Sequence, residues 1–235
     1  MGRIFEKRKH KIFARMDRMA KAFTRIGKDI AIAVKEGGAH PETNPRLRMA
    51  MQNAKGVGMP KDRVEAAIKR AVSKDTSNYE EVVYEGYAPH GIALVIETAT
   101  DNTTRTVANI RSYLTRANGS LSKTGSLDFL FNRVGIFKLK KEGINMEEME
   151  LELIDMGAEE IQVDEEEIII QTTFQNFGQM ARKMEEKGIV PISAELVRIP
   201  TTTKELPEAQ VDEVMELIAK IEEDDDVNQV FHNLA

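Results

Sequence analysis

The chain has 235 residues, 41% of them hydrophobic, a formal net charge of −6 and no cysteine. That length fits one to three domains with a packed core, and the missing cysteine excludes a disulfide framework, thiolate metal sites and a cysteine nucleophile. The charge is divided: residues 1–75 hold 19 Lys and Arg against 8 Asp and Glu, a net of +11, while residues 76–235 carry a net of −17.

In chain order, the first predicted element is a helix from Arg8 to about Lys35. Ile12, Met16, Met19, Phe23, Ile26, Ile30 and Ala33 step by 4 and 3, which makes one apolar stripe. Met16, Met19 and Phe23 are read as core. Arg8, Lys11, Arg15, Arg18 and Arg25 fall on a neighbouring face. Gly37-Gly38 ends the helix as a left-handed cap. Asn44-Pro45 reads as N-cap and first residue of a second helix, with Leu47, Met51 and Ala54 inward. Pro60 opens a third, with Val64, Ala67, Ile68 and Ala71 inward. Arg46, Arg48, Lys55, Lys61, Arg63, Lys69 and Arg70 decorate these two helices, and Lys74 to Asn78 reads as a linker.

Beyond Tyr79 the pattern turns to strands. Val82–Tyr87 and Ile92–Thr98 are predicted strands joined at Pro89-His90-Gly91, a hairpin signal. Thr103–Asn118 is a predicted helix with Val107, Ile110 and Leu114 inward and Gly119 as its cap. Leu127–Phe131 and Gly135–Leu139 are predicted strands, with Phe129 and Phe131 read as core rather than as an RNA-stacking pair. A helix over Met146–Met156 ends at Gly157, and strands at Ile161–Val163 and Ile168–Thr173 flank an acidic turn. A helix at Phe177–Lys187, a strand at Glu195–Ile199, a helix from Pro207 through Ile221 and a strand at Val227–Phe231 complete the chain. The expected fold is α+β in three domains: a basic helical domain, then two α/β sandwich domains of ferredoxin-like size with mostly antiparallel sheets.

A catalytic centre is not legible. His10, His40, His90 and His232 are not at ligand spacing, and they read as surface or turn residues. Lys55-Gly56-Val57-Gly58 lacks the Ser or Thr of a phosphate loop. Ser120-Leu121-Ser122-Lys123 and Lys123-Thr124-Gly125 fit two motifs of penicillin-recognising enzymes, but they share one lysine where that chemistry needs two. The acidic runs Glu165–Glu167 and Glu222–Asp226 read as solvated turns. No catalytic residue, metal site, cofactor or small-molecule substrate is expected. No apolar run approaches the ~18 residues of a membrane span, and the N-terminus lacks the apolar core of a secretion signal. The expected compartment is the cytoplasm, with no membrane partner.

Several segments are more specific than composition. They are FTRIGKDIAIAVKEGG (23–38), NPRLR (44–48), MPKDRVEAAIKR (59–70), YEGYAPHG (84–91), DNTTRTVANIR (101–111), NGSLSKTGSLDFLF (118–131) and DDDVNQVFHN (224–233). In this order they resemble the YebC/PmpR family of probable transcriptional regulatory proteins, whose mitochondrial members are translational activators of a cytochrome c oxidase subunit. The resemblance implies a basic helical domain at 1–75, a second domain at 76–133 completed by 206–235, and an acidic domain at 134–205 inserted into it. It also implies regulation of gene expression through nucleic acid, without catalysis. Many members begin with Gly-His-Ser-Lys-Trp. This chain begins MGRIFEKRKHKIF, where Arg3, Lys7, Arg8, Lys9 and Lys11 keep the charge without the ring.

A basic domain on an acidic remainder points to a polyanionic partner. The expected contact residues are Arg8, Lys11, Arg15, Arg18, Arg25, Arg46, Arg48, Lys55, Lys61, Arg63, Lys69 and Arg70. Asn102, Arg105, Arg111 and Lys123 are a candidate second surface, with Asp101 or Asn102 also able to cap the helix that follows. Base-reading side chains are sparse in the basic domain: Asn44, Gln52 and Asn53, the first engaged as a cap. The expected reading of the partner is therefore by backbone and shape. That favours ribosomal RNA, with the chain acting as a ribosome-associated translation factor. Duplex DNA in a transcriptional regulator is the alternative, and docking on acidic proteins is the third.

Overall fold

The computed structural model describes residues 3–73 and 78–235, with side chains from Met19 onward. It divides into two compact units, Met1–Glu80 and Glu81–Ala235. The first is helical: α1 (Arg3–Gly37), α2 (Pro45–Gly56) and α3 (Lys61–Val72). Its core is the C-terminal half of the predicted stripe, Ile26, Ile30, Ala33 and Val34, against Leu47, Ala50, Ala54 and Val64. Ile12 and Met16 lie outside the described side chains. Met19, expected in the core, is 37% exposed. Among the described side chains, the C-terminal part of α1 packs on α2 and α3, which are each 12 residues long.

The second unit holds β1 (Glu80–Tyr87), β2 (Ala93–Thr100), α4 (Thr103–Arg116), β3 (Ser120–Leu121), β4 (Phe131–Lys140), α5 (Met146–Met156), β5 (Ala158–Val163), β6 (Glu167–Thr173), α6 (Phe177–Glu186), β7 (Ser193–Pro200), α7 (Glu208–Glu222) and β8 (Val227–His232). They build two antiparallel four-stranded sheets, ordered β3-β1-β2-β8 and β5-β6-β4-β7. The hairpin tip at Pro89–Gly91 is a 3₁₀ turn in which His90 takes φ 62°. One face of the first sheet packs Leu94 and Ile96 on Ile110 and Leu114 of α4 and on Leu217 and Ile218 of α7. Its other face packs Ala93 and Val95 on Leu127 and Phe131. The second sheet follows the order β4-α5-β5-β6-α6-β7, a split β-α-β arrangement. Inside it, Phe137 lies 4.9 Å from Phe177 between ring centroids. Gly135 is required where it stands: a Cβ there would fall 2.2 Å from Phe177 Cδ2. Arg198 of β7 bonds Glu97 of β2 at 2.9 Å, tying one sheet to the other.

Two local expectations need correction. The predicted strand Leu127–Phe131 is a 3₁₀ turn at Asp128–Leu130, after which one unbroken strand runs from Phe131 to Lys140. A three-residue turn destroys the alternation that placed Phe129 beside Phe131, and Phe129 is 73% exposed. The left-handed residue after α4 is Asn118, at φ 59°, not Gly119. Gly119 is needed for closeness instead, since a Cβ there would meet the Tyr87 carbonyl oxygen at 2.4 Å. Ser120–Leu121 pairs with Tyr87 and Gly86 as the short strand β3.

Candidate nucleic-acid interface

The helical unit is held by one buried asparagine. Asn44 Oδ1 accepts from Leu47 N at 3.0 Å and caps α2, as the sequence predicts. Its amide nitrogen also donates to the carbonyls of Ala33 (2.6 Å) and Gly38 (2.8 Å), tying the end of α1 to the start of α2. Gly37 leaves room for it, because a Cβ there would lie 2.7 Å from Asn44 Cγ. Arg48 reinforces the same loop by donating to the carbonyls of Pro41 (2.6 Å) and Glu42 (3.1 Å). Arg46 pairs with Glu36 at 2.8 Å. These two expected contact residues therefore brace the α1–α2 loop.

Five of the remaining cations, Lys55, Lys61, Arg63, Lys69 and Arg70, are exposed, and the only acids on α2 and α3 are Asp62 and Glu65. Lys61 sits 3.6 Å from Glu65, a pair open to solvent on both sides. Arg63 lies 5.9 Å from the Phe23 ring centroid, which orients its guanidinium across α1. Arg25 is half-buried on α1. The side chains of Arg8, Lys11, Arg15 and Arg18 lie outside the described residues. Asn44 is 3% exposed and committed to the cap, while Gln52 and Asn53 are half-buried.

Two residues of the candidate second surface have partners within the fold. Asn102 caps α4 by accepting from Arg105 N at 2.9 Å. Arg105 bonds Asp226 Oδ2 at 2.7 Å and Asp101 Oδ1 at 2.9 Å. Its pKa is raised by the bond to Asp226 first and that to Asp101 second. Arg111 and Lys123 are exposed. Thus two of the four residues, Asn102 and Arg105, have structural partners, and all four remain exposed.

Asp226 corrects a further expectation, because the acidic run read as solvated is organised. Asp226 is 5% exposed and also accepts from the Thr106 hydroxyl at 2.9 Å. Asp224 accepts from Asn109 Nδ2 and from the Tyr113 hydroxyl, both at 3.0 Å. Burial, then the bond to Asp224, raises the Tyr113 pKa; burial, then the Asp226 charge, raises that of Tyr84. The signal lay in the sequence: polar residues of DNTTRTVANIR recur on one side of α4, and DDDV precedes the strand that returns beside them. The histidines also differ from one another. His40 is exposed and His90 pairs with Glu213 at 2.8 Å, while His232 stands on β8 with a buried, unpartnered Nδ1. Among the described residues, no three His, Asp or Glu side chains gather as a metal site would require, and no helix is long and apolar enough to cross a membrane.

The fold and this surface define a class: an α+β protein with a cation-faced helical unit ahead of two antiparallel sheets. Residues 3–74 match the TACO1/YebC protein N-terminal domain, and residues 79–234 match the TACO1/YebC second and third domain. The chain belongs to the TACO1/YebC family. It is 58% identical over its whole length to a probable transcriptional regulatory protein of Cytophaga hutchinsonii, covering 99% of that chain. It is 52% identical to one of Myxococcus xanthus, with full coverage of both. The crystal structure of a conserved hypothetical protein from Aquifex aeolicus superposes with a TM-score of 0.78 at 34% identity, over 92% of this chain and 90% of that one.

Proposed function

We propose that this chain is a non-enzymatic, cytoplasmic nucleic-acid-binding regulator of gene expression whose basic helical domain grips the phosphate backbone of structured RNA, acting as a ribosome-associated translation factor. The observation that carries the reading is the set of exposed cations Lys55, Lys61, Arg63, Lys69 and Arg70 on two helices that carry only two acids, Asp62 and Glu65. Lys and Arg at phosphates release condensed counterions and supply affinity without sequence information. The reading takes residues 1–75 as the binding domain, 76–133 with 206–235 as the second domain, and 134–205 as an acidic domain inserted into it. The return of β8 to pair with β2 supports that division.

A second reading, a DNA-binding transcriptional regulator, is favoured by the names of the relatives. Sedimentation of lysate through a sucrose gradient at low and high salt separates the two. Salt-sensitive co-migration with ribosomal particles is the expected result. A protein that stays at the top of the gradient and footprints a defined promoter overturns the ribosomal reading.

A further inference from the structure

The acidic unit contains a cationic stretch. Residues 103–141 hold eight Lys and Arg and a single acid, Asp128. Arg111, Arg116, Lys123 and Arg133 of this stretch are exposed. In its middle lies a turn that is fixed from several sides. Glu85, only 2% exposed, accepts from Gly125 N at 2.7 Å, Leu127 N at 2.6 Å and the Ser126 hydroxyl at 3.3 Å. Leu127 and Phe131 anchor the two ends of the turn in the core. The Leu130 carbonyl accepts from Thr201 N at 2.9 Å. Between these anchors the Phe129 ring is turned out to solvent.

A second ring stands at the same end of the second sheet. Arg133 lies 4.3 Å from the Phe174 ring centroid. Arg133 is the cross-strand partner of Arg198, and Arg198 lies 3.6 Å from Asp128, the neighbour of Phe129. Elsewhere the sheet offers no stacking platform. On its face away from Phe137, the central strands present Val134, Ile136 and Lys138 opposite Thr173, Gln171 and Ile169. A ring held outward by a rigid turn, in a stretch of chain with exposed cations before and after it, is suited to an unpaired base: the ring stacks and the cations meet phosphates.

We propose that Phe129, with Lys123 and Arg133, forms a second nucleic-acid contact that takes an unpaired base of a single-stranded segment. This rests on the nucleic-acid reading above and adds the kind of strand recognised. The test uses the full chain, a short labelled single-stranded RNA and a duplex of the same length, titrated across a range of salt. Phe129→Ala weakens single-strand binding ~5–100-fold, the range of one base–aromatic stack, and leaves duplex binding unchanged. The salt slope for the single strand stays as in wild type, because a stacked ring releases no counterion. Phe129→Trp restores affinity, and Lys123→Ala lowers the slope by about one. Unchanged single-strand affinity in Phe129→Ala overturns the proposal, as does an equal loss on single strand and duplex. If Phe129→Ala instead dissolves an oligomer in sedimentation and spares RNA binding, the ring belongs to a protein interface and the proposal is wrong. Wild-type protein that binds neither RNA overturns the reading of the helical unit as well, so the two failures are distinguishable.

Discussion

The exposed cations of α2–α3 and Arg105 of α4 look alike in the sequence and behave differently in the fold. Lys55, Lys61, Arg63 and Lys69 extend from short helices into solvent. Arg105, within the most distinctive motif of the chain, is bound to the buried Asp226 and to Asp101. Arg105 is held by two carboxylates, one of them buried, whereas Lys61 meets the exposed Glu65 at 3.6 Å, a pair that solvent screens. Burial of Asp226 explains the difference. A carboxylate withdrawn from water needs donors, and α4 supplies Arg105 and Thr106.

The contrast can be broken from either side. The largest expected effect is at the helical unit: Asn44→Ala removes the cap of α2 and orphans the carbonyls of Ala33 and Gly38, and costs about 2–4 kcal/mol. Urea unfolding followed by circular dichroism reads it as an early loss of helix with the sheets intact. Next comes Gly135→Ala in the second unit, which drives a methyl into Phe177 and costs about 1–3 kcal/mol. Its unfolding midpoint falls, while the helical unit keeps its own.

Arg105→Gln sharpens the comparison. It lowers thermal stability, because Asp226 loses its charged donor, and leaves RNA affinity within about twofold, a magnitude typical of an uninvolved surface position. A large affinity loss without a stability loss would show that Arg105 reaches the partner after all. The smallest effect is alkaline. The folded Tyr113 pKa lies above its ordinary value of 10.0, so its contribution is fully present below pH 10 and is lost as pH rises through the folded pKa. Tyr113→Phe therefore flattens the alkaline limb of stability against pH and leaves the neutral region little changed.

Much of this fold is legible in the chain. Gly157 and Gly188 end α5 and α6 in the left-handed region where the sequence places helix stops, and Asn44-Pro45 starts α2 as its chemistry dictates. What sequence could not supply is tertiary. Periodicity put Met19 on the same stripe as Ile30, but only Ile30 has α2 and α3 to meet. Alternation put Phe129 inside because nothing local announces that Glu85, some forty positions earlier, clasps the turn before it. Asp226 read as one more acid in a run, and only its distance from Arg105 in space, not in sequence, reveals its role. For the interface, the sequence named the right kind of residue and could not separate the outward lysines from Arg46 and Arg48, which brace a loop.

The central claim is that the outward cations of α2 and α3 meet phosphate. Binding of the full chain to structured RNA, measured across salt, tests it most directly. The account predicts that log affinity falls linearly with log salt, and that Lys55→Glu, Lys61→Glu and Lys69→Glu together lower the slope by about three, while Arg105→Gln leaves it as in wild type. An unchanged slope in the triple variant, or an equal change in Arg105→Gln, contradicts it.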